Sequence, residues 1–104
     1  MIIEKANEQN AAVTADTDIL AAAITPSQTA SLFRIMVAMS AVGVLKAHIT
    51  KAGNSQVKAF NSGEDLTIED LYAFEFLVHA GDSVNFQYSA NATLRVMRVQ
   101  EVIE

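Results

Sequence analysis

The sequence predicts an all-β fold: a small antiparallel β-sandwich or jelly-roll-like barrel with an extended N-terminal arm. Three observations predict it. From Leu32 onward, short segments alternate apolar and polar side chains with the period of two that a half-buried strand requires. Gly43, Gly53, Gly63 and Gly81 fall between those segments, where the chain must turn. The large apolar side chains also concentrate after Leu32, among them Phe33, Ile35, Val37, Leu45, Phe74, Phe76, Phe86 and Val99. Burying each such side chain gives ~1.5–3 kcal/mol, whereas the seventeen alanines of the chain give little. A chain of 104 residues suits one domain. The expected division is an arm at 1–12 and a sandwich at 13–104.

Each element has its own reason. Met1–Ala12 is polar with no steady period, so it reads as an arm that orders on a partner, with Ile2, Ile3, Glu4 and Lys5 as its docking residues. Ala11–Ala23 admits two readings. Asp18 could cap a short helix at Ile19–Ile24, or Val13–Leu20 could be a polar edge strand. The strand is preferred because everything downstream is β. Pro26 sets the backbone of the loop that follows. Leu32–Ala41 is the first strong strand, with Phe33, Ile35, Val37 and Met39 on one face. Leu32 and Met36 share the opposite face with Arg34, so this strand is expected to be covered on both sides, the second by another subunit.

Val42–Lys51 follows, with Leu45, Ala47 and Ile49 inward, and Ala52-Gly53-Asn54-Ser55 turns it into the short strand Gln56–Phe60. Asn61-Ser62-Gly63 is a second turn. Thr67 and Asp70 have the spacing of a capping box, which allows one helical turn. Leu71–His79 sets Tyr72, Phe74, Phe76 and Val78 on one face. Ala80-Gly81-Asp82-Ser83 turns the chain into a strand with Val84, Phe86 and Tyr88 aligned. Thr93–Ile103 is the last strand. Its apolar residues fall on both faces, Leu94 and Val96 against Met97 and Val99, which calls for a bulge or burial on both sides.

Composition excludes several function classes. The net charge is −5 and the seven basic residues are scattered, so the cationic stripe that nucleic acid or an anionic membrane requires does not form. No apolar run approaches the ~20 residues of a membrane span. Met1–Asn10 lacks the basic and apolar regions of a secretory leader, which predicts synthesis and folding in a cytoplasm. The absence of cysteine removes disulfides, zinc thiolates and thiol nucleophiles together.

His48 and His79 read as surface side chains, with no converging donors for a metal. Glu64, Asp65, Glu69 and Asp70 lack the spacing of a calcium loop and read as a solvated turn. There is no Gly-x-Ser-x-Gly elbow, no phosphate-binding glycine loop and no distinguished carboxylate pair. Asn91-Ala92-Thr93 matches a glycosylation acceptor by coincidence. No catalytic residue, cofactor or metal is expected. Tyr72, Phe74 and Phe76 have core spacing, which argues against an exposed sugar-binding platform. The candidate interface is Leu32, Arg34, Met36, Arg95, Met97 and Arg98. Its arginines either dress a sheet surface or pair across subunits with Glu75 or Glu101.

Three stretches carry a family resemblance: Leu71–Phe76; Val78-His79-Ala80-Gly81-Asp82-Ser83-Val84-Asn85-Phe86; and Leu94-Arg95-Val96-Met97-Arg98-Val99-Gln100-Glu101-Val102. With Thr17–Leu20 and Phe33–Ala38 upstream, they resemble the small β-sandwich head-decoration, or cement, proteins of tailed phages, notably those of hot environments. The resemblance implies a homo-oligomer, commonly a trimer, seated on the virion surface where major capsid proteins meet. It implies no catalytic residue. The alternatives weighed are a pilus or filament subunit assembling by N-terminal strand donation and, below it, a carbohydrate-binding module.

Overall fold

The computed structural model describes residues 1–103. The strands are β1 (Ile2–Val13), β2 (Ala30–Met39), β3 (Leu45–Lys51), β4 (Asn54–Ala59), β5 (Tyr72–His79), β6 (Asp82–Tyr88) and β7 (Ala92–Val102). They form two antiparallel sheets, ordered β1-β7-β2-β5 and β4-β3-β6. The all-β class holds, and the two sheets are compatible with a small β-sandwich.

The core is what the alternation prescribes. Phe33, Ile35, Val37 and Met39 of β2 are buried, as are Leu45 of β3 and Val84, Phe86 and Tyr88 of β6. Both sheets thus feed one apolar cluster. Phe60, just after β4, stacks on Phe74 at 5.1 Å between ring centroids and on Phe86 at 6.3 Å. It joins the two sheets on the β5 side through offset aromatic contacts. The turn Ala52-Gly53 has positive φ at both residues, 49° and 84°. That is the type I′ geometry that matches the twist of the flanking strands.

Gly43 is required for a different reason. A Cβ built there would lie 2.7 Å from Cε2 of Tyr88. The Tyr88 ring is fully buried, and its hydroxyl donates to the Ala41 carbonyl at 2.7 Å, so it has little room to retreat. Burial, then the charges of Asp65 and Tyr72, push the Tyr88 phenol up to about 12, so it stays a donor. Gly43→Ala is expected to cost about 1–3 kcal/mol by overpacking. A urea melt with an unchanged midpoint would show that the ring yields freely.

Four expectations are corrected. Residues 2–13 are not a free arm: they form β1, an edge strand paired with β7 along its length. Edge strands expose much of their surface, so β1 needs no apolar alternation to be ordered. Its backbone ladder and a few contacts from Ala6, Ala11 and Val13 suffice. Second, neither reading of Ala11–Ala23 holds as drawn: Val13 ends β1, residues 14–20 form no regular strand, and no helix forms at Ile19–Ile24. Beyond Val13 the chain leaves the first sheet and runs along β6 as an irregular strap. Asp16 N donates to Tyr88 O and Ile19 N to Phe86 O, both at 2.8 Å, and Ile24 and Val84 exchange two bonds of 2.9 Å. The Asn85 side chain brackets the Leu20 backbone with two further bonds of 2.9 Å.

Third, Met97 is not at an interface but is fully buried in the core. In the β2–β7 ladder Ala38 faces Val96 and Met39 faces Leu94, so Arg95 is an extra residue. This bulge lets Leu94 and Met97 both point inward, leaving Arg95 and Val96 outward. The two apolar faces of the last strand are therefore mostly one face, re-phased. Fourth, Thr67–Asp70 closes only a turn, with one long backbone bond of 3.3 Å.

Candidate interaction surface

The outer face of the β1-β7-β2-β5 sheet gathers five of the six residues expected at an interface. Strand register sets them in rows. Ile2, Val102, Leu32 and Leu77 form an apolar row across all four strands. Ile2 and Leu77 are 53% and 63% exposed, enough to mark the ends of the row as uncovered. The next row is Glu4, Gln100, Arg34 and Glu75. The third holds Asn7, Arg98, Met36 and Ala73. Arg95 lies further along, carried outward by the bulge.

The charges on this face are satisfied within the chain. Arg34 Nη2 donates to Glu75 Oε2 at 3.0 Å. Arg98 grips both oxygens of Glu4 at 3.0 and 3.2 Å, and Gln100 adds a bond of 3.2 Å. Arg95 Nε contacts Glu69 at 3.0 Å. The hydrogen bond from Arg98 is the main cause that holds the Glu4 carboxyl below its usual range, and the same bond raises the Arg98 guanidinium. Of the two readings of these arginines, the intrachain pairs fit the one in which they dress a sheet surface. Glu4 belongs to the segment read as an arm, so sequence reasoning missed it as a partner of Arg98. The two are 94 positions apart, and no local pattern links them.

Glu101 was named as a second interfacial partner. It is fully buried on the inner side of β7. Its Oε1 lies 3.3 Å from Lys5 Nζ and accepts from the Ser27 hydroxyl at 2.7 Å. Its Oε2 accepts from Ser27 N–H at 2.6 Å. Lys5 reaches it because β1 has its own bulge between Glu4 and Ala6. Burial alone would raise the Glu101 carboxyl. The buried Ser31 hydroxyl beside it, the two Ser27 donors and Lys5 outweigh that and hold it at about 2. Ser31 acts without a hydrogen bond of standard geometry. The network is a clamp holding the Pro26 loop and β1 to β7.

The outer face of the second sheet carries the remaining polar cluster. Asp16 and Asp18 of the strap meet Lys46 at 2.9 Å and His48 Nδ1 at 2.8 Å. Burial works to raise the Asp18 carboxyl, but bonds from Gln87 and His48 hold it low. These contacts pin the strap to the outer face of β3 and β6. His79 lies exposed at the end of β5. Among the described residues, no group of three His, Cys, Asp or Glu side chains is placed to hold a metal. No described helix is long and apolar enough to cross a membrane. What the arrangement offers is surface: an apolar row beside a neutral set of paired charges.

No protein-family model matches the chain, and comparisons with curated proteins and with solved structures each returned no match.

Proposed function

We propose that this chain is a structural subunit of a virus particle: a jelly-roll-like decoration protein that binds the outside of a capsid as a homo-oligomer and braces it. The observation that carries the reading is strand order. With the strap counted as an irregular strand beside β6, the two sheets become β1-β7-β2-β5 and strap-β6-β3-β4. In chain order, successive elements then cross between the sheets at every step except the β3–β4 hairpin, as in two interlocked Greek keys, the jelly-roll arrangement recurrent in viral capsid and lectin domains. Fold alone does not give function. The family resemblance selects the virion among jelly-roll uses, and the apolar row beside paired charges supplies a surface for assembly. Many weak symmetric contacts of that kind sum to a firm hold on a lattice.

The sugar-binding alternative loses ground because Phe74 and Phe76 face the core. Strand donation loses ground because β1 already completes its own sheet. The test is sedimentation of the purified chain with empty shells of the major capsid protein encoded beside its gene. Saturable binding at a fixed copy number per capsomer is expected, together with a rise in the temperature at which the shells burst. Absence of a neighbouring capsid gene, or no binding to its shells, overturns the reading.

A further inference from the structure

Of the four sheet edges, one is left open. The β1 edge carries Glu4, Lys5 and Glu8 and is broken by the bulge at Lys5. The β6 edge is covered by the strap. The β4 edge is only six residues long and is polar at Asn54, Ser55, Gln56 and Lys58. Charges, bulges, shortness and covering loops are how sheets avoid edge-to-edge pairing. The β5 edge lacks all of these except the single charge of Glu75. Among the described residues, the backbone of Tyr72–His79 pairs only with β2. Leu77, at its centre of exposure, is 63% accessible.

The core is also open on this side. A groove of about 310 Å³ lies beside β5, lined by Ile49, Phe60, Phe76 and Leu77 together with the charged Lys58 and Glu75. Ile49 and Phe76 are only partly buried there, unlike the sealed residues of β2 and β6.

We propose that the β5 edge pairs antiparallel with the β5 edge of a second copy of this chain, about a twofold axis at Leu77. This goes beyond the function proposed above and does not depend on it. Antiparallel pairing sets same-face residues opposite one another, so few self-pairings are possible. An axis at Glu75 opposes two carboxylates. An axis at Phe76 sets Glu75 against Leu77. An axis at Leu77 places the exposed leucine on its own copy, Glu75 against His79, and Phe76 against Val78. Only that register matches apolar with apolar and acid with imidazole along the strand. It joins the two four-stranded sheets into one continuous sheet and covers the open groove of both copies, in the isologous manner of a twofold interface.

The test is sedimentation equilibrium of the full chain up to ~1 mM, with amide hydrogen exchange across β5 at low and high concentration. A two-copy species is expected, with alternate amides of Tyr72–His79 slowing as concentration rises. Leu77→Lys sets like charges on the axis and is expected to weaken association at least tenfold with an unchanged melting temperature. His79→Glu, which opposes Glu75 with a second carboxylate, is expected to weaken it as well and stands independently should the lysine variant misfold. A monomer at ~1 mM, or variants that associate as the wild type does, overturns the proposal. A trimer whose protection maps to Leu32, Met36 and Arg98 also overturns it, yet supports the decoration reading. Failure to bind shells with the β5 pairing intact would do the reverse.

Discussion

Removing residues 1–12 is expected to lower the stability of the chain by about 4–5 kcal/mol, from a ladder of roughly ten hydrogen bonds at a net ~0.5 kcal/mol each. That is a large part of the ~5–15 kcal/mol typical of a domain. The segment looks dispensable by composition, since it holds no fully buried large side chain before Val13. Its role is to pair with β7 from Ile2–Val102 through Ala12–Thr93. Without it, β7 becomes a bare edge, and Met97 and Val99 lose the flank of the sheet that shields them. Lys5 is lost too, leaving Glu101 buried without its cation. Thermal unfolding should fall by more than ~15 °C, with aggregation through the exposed β7 edge. A free arm would behave oppositely: its deletion would leave the melting temperature unchanged, and that outcome would restore the division into arm and core.

Glu101→Ala is expected to cost about 2–3 kcal/mol. Removing one partner of a buried pair strands the other, a loss of ~3–5 kcal/mol when both are sealed. The lower figure follows because Lys5 keeps 21% of its side-chain surface in water. The Ser27 N–H also loses its acceptor, freeing the loop ahead of β2. The same network gives a pH signature. The Glu101 carboxyl is depressed from the ordinary 4.5 to about 2. A depressed acid contributes stability that is complete above its unfolded value and is lost as pH falls towards its folded one. The wild type should therefore lose stability between about pH 5 and pH 2. Glu101→Gln should start lower and fall less steeply across that window. The depressed Glu4 and Asp18 act in the same direction, so both proteins retain some slope. Parallel urea-derived stability curves for the two proteins would exclude Glu101 as the main acid-sensitive group.

Much of the fold was legible because strand alternation is a local property. β2, β5 and β6 lie within a residue or two of their expected bounds, and their inward residues are the expected ones. The turns at Gly53, Gly63 and Gly81 stand where glycine marked them, each with positive φ. The candidate surface was legible in part. Leu32, Arg34 and Met36 share one face of β2 by simple parity, and no partner strand could alter that. Met97 was misplaced because parity along β7 changes at Arg95, and the bulge is set by the ladder with β2 rather than by the residues of β7. Glu101 was misplaced for the same reason, since the re-phased strand turns it inward.

By itself, the sequence determined the all-β class, the turns, and which side chains of the central strands enter the core. Each follows from a period of two and from backbone conformations that only certain residues favour. The tertiary structure alone decided that residues 2–13 are a strand, that residues 14–24 run along β6, and that the arginines find acids within their own subunit. Those outcomes rest on backbone ladders and charge pairs between residues far apart in the chain, such as Ile2 with Val102 in the ladder and Glu4 with Arg98 in the charge pair. A backbone hydrogen bond leaves no trace in side-chain pattern, so only the folded chain shows which edges are paired and which, like β5, remain free.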